Sequence, residues 1–403
     1  MRRSVVIIGA GPAGLVLGNA LRQAGVSCLI VERHSRSHIE QQVRVGITDH
    51  CSRLILERLG LAACLLAHGQ IQETCEFRAG PERVIVAYAQ LNGGIGHRVY
   101  SQHLLVRDLV EAFLAGGGEL LFETTAETIT IDGETSATVT LSAGPRRVSC
   151  DVVACADGSH SIGHKHMPTT PEQRRYPYRW LTLLADVPTP SPRLVYVLHP
   201  DGFAGEMPRN PVQSRFYLQY GPGEDPPAWT DEQIWQRLRH RMPNIAPGRV
   251  RQRSTLAMAV RTHLPMQHGP IHLLGDAAHA LPPTGGKGMN LAIADADTLA
   301  SAIIARSHDG GKRLAVYSDD RLTDVHRAVA FSDWLLRLVN TSLHMSEKDI
   351  LTDYRTRQAK LMELSDPART CHVVRPRLRQ NQRTVTAPRQ TRQLTVYCVP
   401  REM

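Results

Sequence analysis

Gly9, Gly11 and Gly14 stand directly behind the apolar run Val5-Val6-Ile7-Ile8 and directly ahead of a helix-patterned stretch, and Glu32 closes the next apolar run. Strand, tight turn, helix and terminal acid within about 30 residues form a dinucleotide-binding unit, which commits the start of the chain to a parallel α/β sheet. Gly9 lets the chain turn, Gly11 lets backbone approach a pyrophosphate, and Gly14 lets the helix pack closely on the sheet. The helix N-terminus then offers unpaired N–H groups and partial positive charge to the phosphates. The Glu32 carboxylate is placed to accept hydrogen bonds from ribose hydroxyls.

A chain of 403 residues with 42% hydrophobic content can bury two coupled cores. No run approaches the ~18 to 20 consecutive apolar residues of a membrane span, and Arg2-Arg3 leads straight into the first strand. A cytoplasmic protein without a membrane partner is expected. The eight cysteines are scattered with no CxxC pair, which speaks for reduced thiols. Much of the formal charge of +9 lies at the C-terminus, where Arg369, Arg375, Arg377, Arg379, Arg383, Arg389 and Arg392 are followed by one acid, Glu402. A basic end whose only aromatic is Tyr397 reads as a solvated or poorly ordered tail, so nucleic acid is not an expected partner. Elsewhere the excess cations suit anionic cofactors and an anionic substrate.

Residues 1–35 read as strand, helix, strand. Helical spacing recurs from Cys51 to Leu66 and over 103–115, and alternation follows over Glu119–Thr124, Glu127–Asp132, Ala137–Ser142 and Val148–Ala154. From 175 to 265 the texture changes to strands rich in Tyr, Val and Leu with Pro and Gly turns: Trp180–Val187, Leu194–His199, Arg215–Tyr220 and Thr255–Val260. Another buried strand at Ile271–Leu274 precedes a glycine-rich loop and a helix from Met289 to Arg306; further helices reach Leu338 and span 346–364. The expected fold is α/β (α+β overall). A discontinuous Rossmann-like cofactor domain (1–73, 97–174 and 266–340) is interleaved with an antiparallel-sheet substrate domain (74–96 and 175–265), and a helical C-terminal region (341–403) ends in the basic tail. No second glycine fingerprint follows a strand, since Gly93-Gly94-Ile95-Gly96 reads as a loop. Any nicotinamide must be held by other means.

Cys155-Ala156-Asp157-Gly158-Ser159-His160-Ser161 follows one strand, and Gly275-Asp276-Ala277-Ala278-His279-Ala280-Leu281-Pro282-Pro283 follows another. With the first fingerprint, these motifs resemble the FAD-dependent aromatic hydroxylases that use a single flavin-binding domain, in particular the branch acting on 4-hydroxybenzoate. The resemblance covers residues 1–340 and includes Gly9–Gly18, Glu32-Arg33, Arg44-Val45-Gly46, Val99-Tyr100-Ser101-Gln102, Trp180–Pro188, His199–Ala204, Pro265–Gly269 and Gly275–Leu291. It implies FAD held by Gly9, Gly11, Ala13, Gly14, Glu32, Arg33, Arg44, Gln102, Asp157 and Asp276. Backbone N–H groups at Gly288, Met289 and Asn290 would face the flavin where the reduced anion carries charge. NADPH, with NADH as the alternative, would meet Arg33, Arg44 and His160, and O2 is the third reactant.

The substrate implied is a small aromatic carboxylic acid of the 4-hydroxybenzoate type. Its carboxylate would meet Arg209, Met207 and Tyr217, its phenol Tyr196, and its reacting ring the Pro283 carbonyl; Tyr196 and Pro283 would be the catalytic contacts. On the residues alone, Tyr196 also reads as strand packing and Arg209 as a surface cation in a Pro-rich turn. Two departures from the family bear on the substrate. Met207 stands where the family has a serine and cannot donate a hydrogen bond, and no tyrosine aligns near Ala368–Arg375, where the family has a second relay tyrosine. An amino group on the ring would supply electron density itself, so hydroxylation of a 3-amino-4-hydroxybenzoate is the variant reading, and a non-hydroxylating flavin-binding protein the reading of another class. His160, His164 and His166 have irregular spacing and no carboxylate or cysteine frame, so no metal is expected; His164 stands where the family has an arginine. A homodimer is left open.

Overall fold

The computed structural model describes residues 1–42, 46–91, 94–188, 193–365 and 397–398. Its chain divides into two units, the first formed by Met1–Gly69, Tyr100–Arg174 and Val260–Val329, and the second by Gln70–Val99, Arg175–Ala259 and the described residues from Ala330 onward.

In the first unit a sheet runs in the order Gln267–His268, Ile271–Leu273, Arg147–Cys155, Arg2–Ile8, Cys28–Val31, Glu119–Leu121. The strands from Ile271–Leu273 to Glu119–Leu121 are parallel. Parallel strands covered on both faces read as unbroken apolar runs, which is why Val5–Ile8 and Cys28–Val31 lack alternation and are buried throughout. Ala126–Gly133 and Ser136–Leu141 add antiparallel strands beside Arg147–Cys155. The helices Pro12–Gln23, Gln102–Ala115 and Lys287–Asp309 bury their apolar faces in this unit's core. Gly18 permits the close packing, since a Cβ there would lie 2.6 Å from Ile30 and 3.1 Å from Phe113.

The helical spacing from Cys51 to Leu66 resolves into two helices, His50–Arg58 and Ala63–His68. Gly60 takes φ +66° between them, a left-handed conformation that stops the first helix.

In the second unit the sheet order is Val250–Thr262, Glu172–Ala185, Gln213–Tyr220, Ala204–Asn210, Leu194–Leu198, Cys75–Ala79, Glu82–Val86. One face carries Leu181, Leu183, Val195, Val197, Ala204, Phe216 and Leu218, packed with Ile234, Trp235 and Leu238 of the helix Asp231–Arg241. The other face is left to the residues between them, because successive side chains of a strand alternate. The helix Glu347–Met362 also belongs to this unit, through Gln358 Nε2 donating to Ala79 O at 3.1 Å. No helix among the described residues is long and apolar enough to cross a membrane. The basic run Arg369–Arg392, like Arg44, lies outside the described residues.

Candidate active site

The dinucleotide fingerprint builds a cleft of about 260 Å³ in the first unit. Gly9 has φ +102°, and a Cβ there would lie 2.5 Å from Ala156 O, so the turn and the Asp157 loop approach backbone to backbone. A Cβ on Gly14 would lie 2.1 Å from Gly9 O, whereas one on Gly11 would meet nothing within 4 Å and would project into open space. Gly11 caps the helix Pro12–Gln23 with no side-chain bond to the first turn, Pro12 occupies the start, and no acid stands in that turn. The helix N-terminus therefore keeps its partial charge and its unpaired donors for an anion.

Gly9, Gly11, Glu32, Arg33, Gln102, Asp157 and His160 line this cleft together. Glu32 Oε2 accepts Ala10 N–H and Oε1 accepts His34 N–H, both at 2.9 Å. Those bonds lock the carboxylate while leaving each oxygen a further lone pair for a ribose hydroxyl. Asp157 Oδ2 accepts Ile162 N–H at 2.9 Å, but Oδ1 is buried with no partner. Burial raises the Asp157 pKa, against the bonds from Ser161 and Ile162. An uncapped helix start, a glycine open to the cleft, a locked acid and an orphaned carboxylate oxygen fit the adenosine and pyrophosphate of FAD. At the rim, Arg33 Nε donates to His34 Nε2 at 3.1 Å and His34 stacks on His38 with ring centroids 4.1 Å apart. Where His164 replaces the family's arginine, Arg261 Nη1 donates to Ser159 O at 2.5 Å and Nη2 lies 3.3 Å from His164 Nδ1. That guanidinium comes from a distant strand, so no local motif announced it.

Asp276, Pro283, Gly288, Met289 and Asn290 lie in the same unit but do not line that cleft. Asp276 is exposed on a short helical turn, Gly275–Ala277. Gly288 and Met289 fall in the first turn of Lys287–Asp309, behind Gly286 at φ 60° and with no side-chain cap. The Asn290 side chain is spent on structure, donating to Ile47 O and Gly286 O and accepting from Asp49 N–H. The Pro283 carbonyl accepts Gly286 N–H at 3.1 Å.

The sequence motifs missed what braces this loop. Asp295, fully buried, accepts Gly275 N–H at 3.0 Å, pairs with His279 Nε2 at 2.6 Å and receives Arg321 Nε at 2.8 Å. Arg321 also donates to Asp324 at 2.8 Å. Burial alone would raise the Asp295 pKa, but His279 and Arg321 hold it below the usual carboxylate range.

The four other substrate residues gather on the second unit's sheet. Tyr196 is registered opposite Phe77 and Gly205, Gly205 opposite Tyr217, and Tyr217 opposite Thr182, so all five share a face. Gly205 has no side chain, and the Phe203 ring takes that space, 2.8 Å from where a Cβ would stand. Around it, Tyr196 stacks on Phe77 at 5.1 Å, while Trp180 packs on Phe203 at 4.5 Å and on Tyr217 at 5.5 Å. Trp180 is fixed by Nε1 donating to Asn340 at 2.7 Å.

Arg209 lies not in a turn but on the strand Ala204–Asn210, half-buried, at a register shift between Pro208 and Asn210. Such irregularities re-aim a side chain. Its pKa is lowered to about 10, first by burial and then by Arg215, with Tyr217 opposing. Arg215 is buried, and its Nε has no acceptor. Two guanidiniums and the buried Tyr217 phenol thus make an anion-attracting end on this face, where Met207 receives the Tyr217 hydroxyl at 4.0 Å through sulfur. Tyr88 is a further residue missed from sequence. Its buried phenol has a raised pKa, first through burial and then through the charges of Cys75, Tyr196 and Glu73, and its ring lies 4.4 Å from that of His97.

Residues 2–332 match the family of the FAD binding domain. The chain is 32% identical to p-hydroxybenzoate hydroxylase of Acinetobacter baylyi, over 90% of this chain and 91% of that one. It is 27% identical to 3-(3-hydroxy-phenyl)propionate/3-hydroxycinnamic acid hydroxylase of Mycolicibacterium smegmatis, over 83% of this chain and 61% of that longer one. Among solved structures, p-nitrophenol 4-monooxygenase of Pseudomonas putida is similar with TM-score 0.74 and 21% identity, covering 90% of this chain and 97% of that one, which speaks for the fold.

Proposed function

The chain belongs to the FAD-dependent aromatic hydroxylases of the FAD-binding-domain family, and on that premise we propose that it hydroxylates a 4-hydroxybenzoate-type acid with NADPH as electron donor. The observation that carries this reading is the sheet face on which Arg209, Arg215 and Tyr217 stand at one end of an aromatic cluster and the Tyr196 phenol at the other. A ring laid over that face has its carboxylate at the guanidiniums and its hydroxyl at Tyr196.

FAD held at Gly11, Glu32 and Asp157 would supply the redox chemistry by which two electrons from NADPH and O2 put one oxygen atom into the ring and the other into water. The protein orients and polarises the ring. Arg209 presents a planar fork to the carboxylate, and Phe77, Trp180 and Phe203 exclude water around the ring. Tyr196 accepts the ring hydroxyl's hydrogen bond, drawing charge toward the carbon ortho to it. Tyr88, electrostatically coupled to Tyr196 and packed on His97, continues that chain of groups and answers the missing second tyrosine.

A screen of substituted benzoates for stimulated NADPH oxidation by the flavin-loaded protein, with products identified by mass, tests the assignment. Stimulation by no benzoate would overturn it. Tyr196→Phe is expected to keep NADPH oxidation while diverting much of the oxygen to hydrogen peroxide, because the ring binds but is poorly activated; general acid–base assistance of this kind is worth roughly 10²- to 10⁴-fold. Tyr88→Phe should do the same to a lesser degree. Wild-type coupling in Tyr196→Phe would favour the second reading, a 3-amino-4-hydroxybenzoate whose amine activates the ring.

A further inference from the structure

The turn after the strand Leu194–Leu198 and the last turn of the helix Asp231–Arg241 bring His199, Asp201 and His240 together, with their ligand atoms all within 4.8 Å of one another. Asp201 Oδ2 lies 2.7 Å from His240 Nε2 and 3.6 Å from His199 Nδ1. The two imidazoles meet edge to face with centroids 4.9 Å apart. We propose that this cluster is a binding site for one divalent transition-metal ion of the zinc class.

Two imidazole nitrogens and one carboxylate oxygen suit Zn2+ and its neighbours Ni2+ and Cu2+, whereas Mg2+ and Ca2+ take oxygen ligands. A tetrahedral ion with bonds of about 2.0–2.1 Å spaces its ligand atoms about 3.4 Å apart. The observed separations need only side-chain rotation to reach that spacing, and Asp201 and His240, each 61% exposed, have room for it.

The backbone holds the donors in place without an ion. His199 O accepts Gly202 N–H at 3.0 Å and the Thr341 hydroxyl at 2.7 Å. Arg241 donates to Asp201 O and, at 3.1 Å, to Gln219 O. Gly202 closes the turn at φ +105°, a conformation that side chains other than glycine's rarely allow. A site already formed spends little of its binding energy on ordering. Asp201 N–H donates to His199 Nδ1 at 3.1 Å, so this nitrogen presents its lone pair toward the cluster and an ion bound there would replace that bond. The same turn leads into Phe203, whose ring packs 5.9 Å from Tyr196, so occupancy stiffens the segment beside that tyrosine. The site stands on its own geometry and does not depend on the proposed substrate.

Calorimetric titration of Zn2+ into the chelator-treated, FAD-loaded full chain tests it. One saturable site is expected, with no heat from Mg2+ or Ca2+. His199→Ala and His240→Ala should abolish that site, and Asp201→Asn should weaken it about tenfold or more. Zn2+ should raise the melting temperature of the wild-type protein and leave that of His240→Ala unchanged. Flavin occupancy and melting without metal establish that each variant folds, and His240→Gln replaces any that does not. Absence of a saturable Zn2+ site, or a site of unchanged affinity in both histidine variants, overturns the proposal.

Discussion

Arg209→Ala is expected to raise the dissociation constant of the benzoate substrate roughly a hundredfold or more, while FAD stays bound. The guanidinium offers a carboxylate two parallel charge-assisted hydrogen bonds, each worth about 1.5–3 kcal/mol. Even the lower end of that range, about 3 kcal/mol for the pair, exceeds two factors of ten in affinity. The alanine variant should nevertheless fold as well as the parent. Arg209 is half-buried and its charged form is disfavoured by burial and by Arg215, so removing it relieves strain in the ligand-free protein. Arg209→Lys keeps the charge but not the fork and should fall between the two. Titration of the flavin absorbance with benzoate, alongside thermal melting, separates the outcomes. Weak binding with an unchanged or higher melting temperature assigns Arg209 to the acid. Unchanged affinity removes it from the site.

What could be read from the sequence was what chemistry fixes locally. Gly9, Gly11 and Gly14 were legible because strand, turn and helix follow one another; Gly14 answers a clash with Gly9 O, while Gly11 faces open space. The strand Ala204–Asn210 was not. Gly205, Pro208 and Asn210 are poor strand formers, and what makes them a strand is pairing with Gln213–Tyr220 and Leu194–Leu198. The helix Asp231–Arg241 carried a signal that went unread, the capping box of Thr230 and Gln233. The flavin-site reading divides the same way. Glu32 ends a local motif, whereas Arg261 reaches Ser159 and His164 from about 100 residues away, and nothing in a single sequence marks such a pair. Tyr88 and His97 drew no notice in the sequence, because only the fold sets one ring against the other.

Asp295 is the residue whose loss should cost most stability. It lies in no recognised motif, yet one carboxylate receives Gly275 N–H, His279 and Arg321 with no exposure to solvent. Removing one member of a buried ion pair typically costs about 3–5 kcal/mol, and although Arg321 keeps Asp324, the loss of Asp295 also strips Gly275 N–H and His279 of their acceptor. Asp295→Asn is therefore expected to lower stability by about that amount. It should also weaken FAD retention, because Gly275 and the exposed Asp276 beside it lose their anchor. Arg321→Met should cost at least as much, because it leaves both Asp295 and Asp324 without their cation, and the double variant should cost less than the sum of the two, since the Asp295–Arg321 pair is then lost only once. The folded-state pKa of Asp295 lies below its ordinary value of 3.8, so its contribution is complete above that value and disappears as the pH falls through the folded pKa. Denaturant unfolding across pH 2 to 7 should show a steep acid loss in the wild-type protein and a shallower one in Asp295→Asn. Additive single-variant effects, or an acid limb of unchanged slope, would show that the network carries no coupling energy.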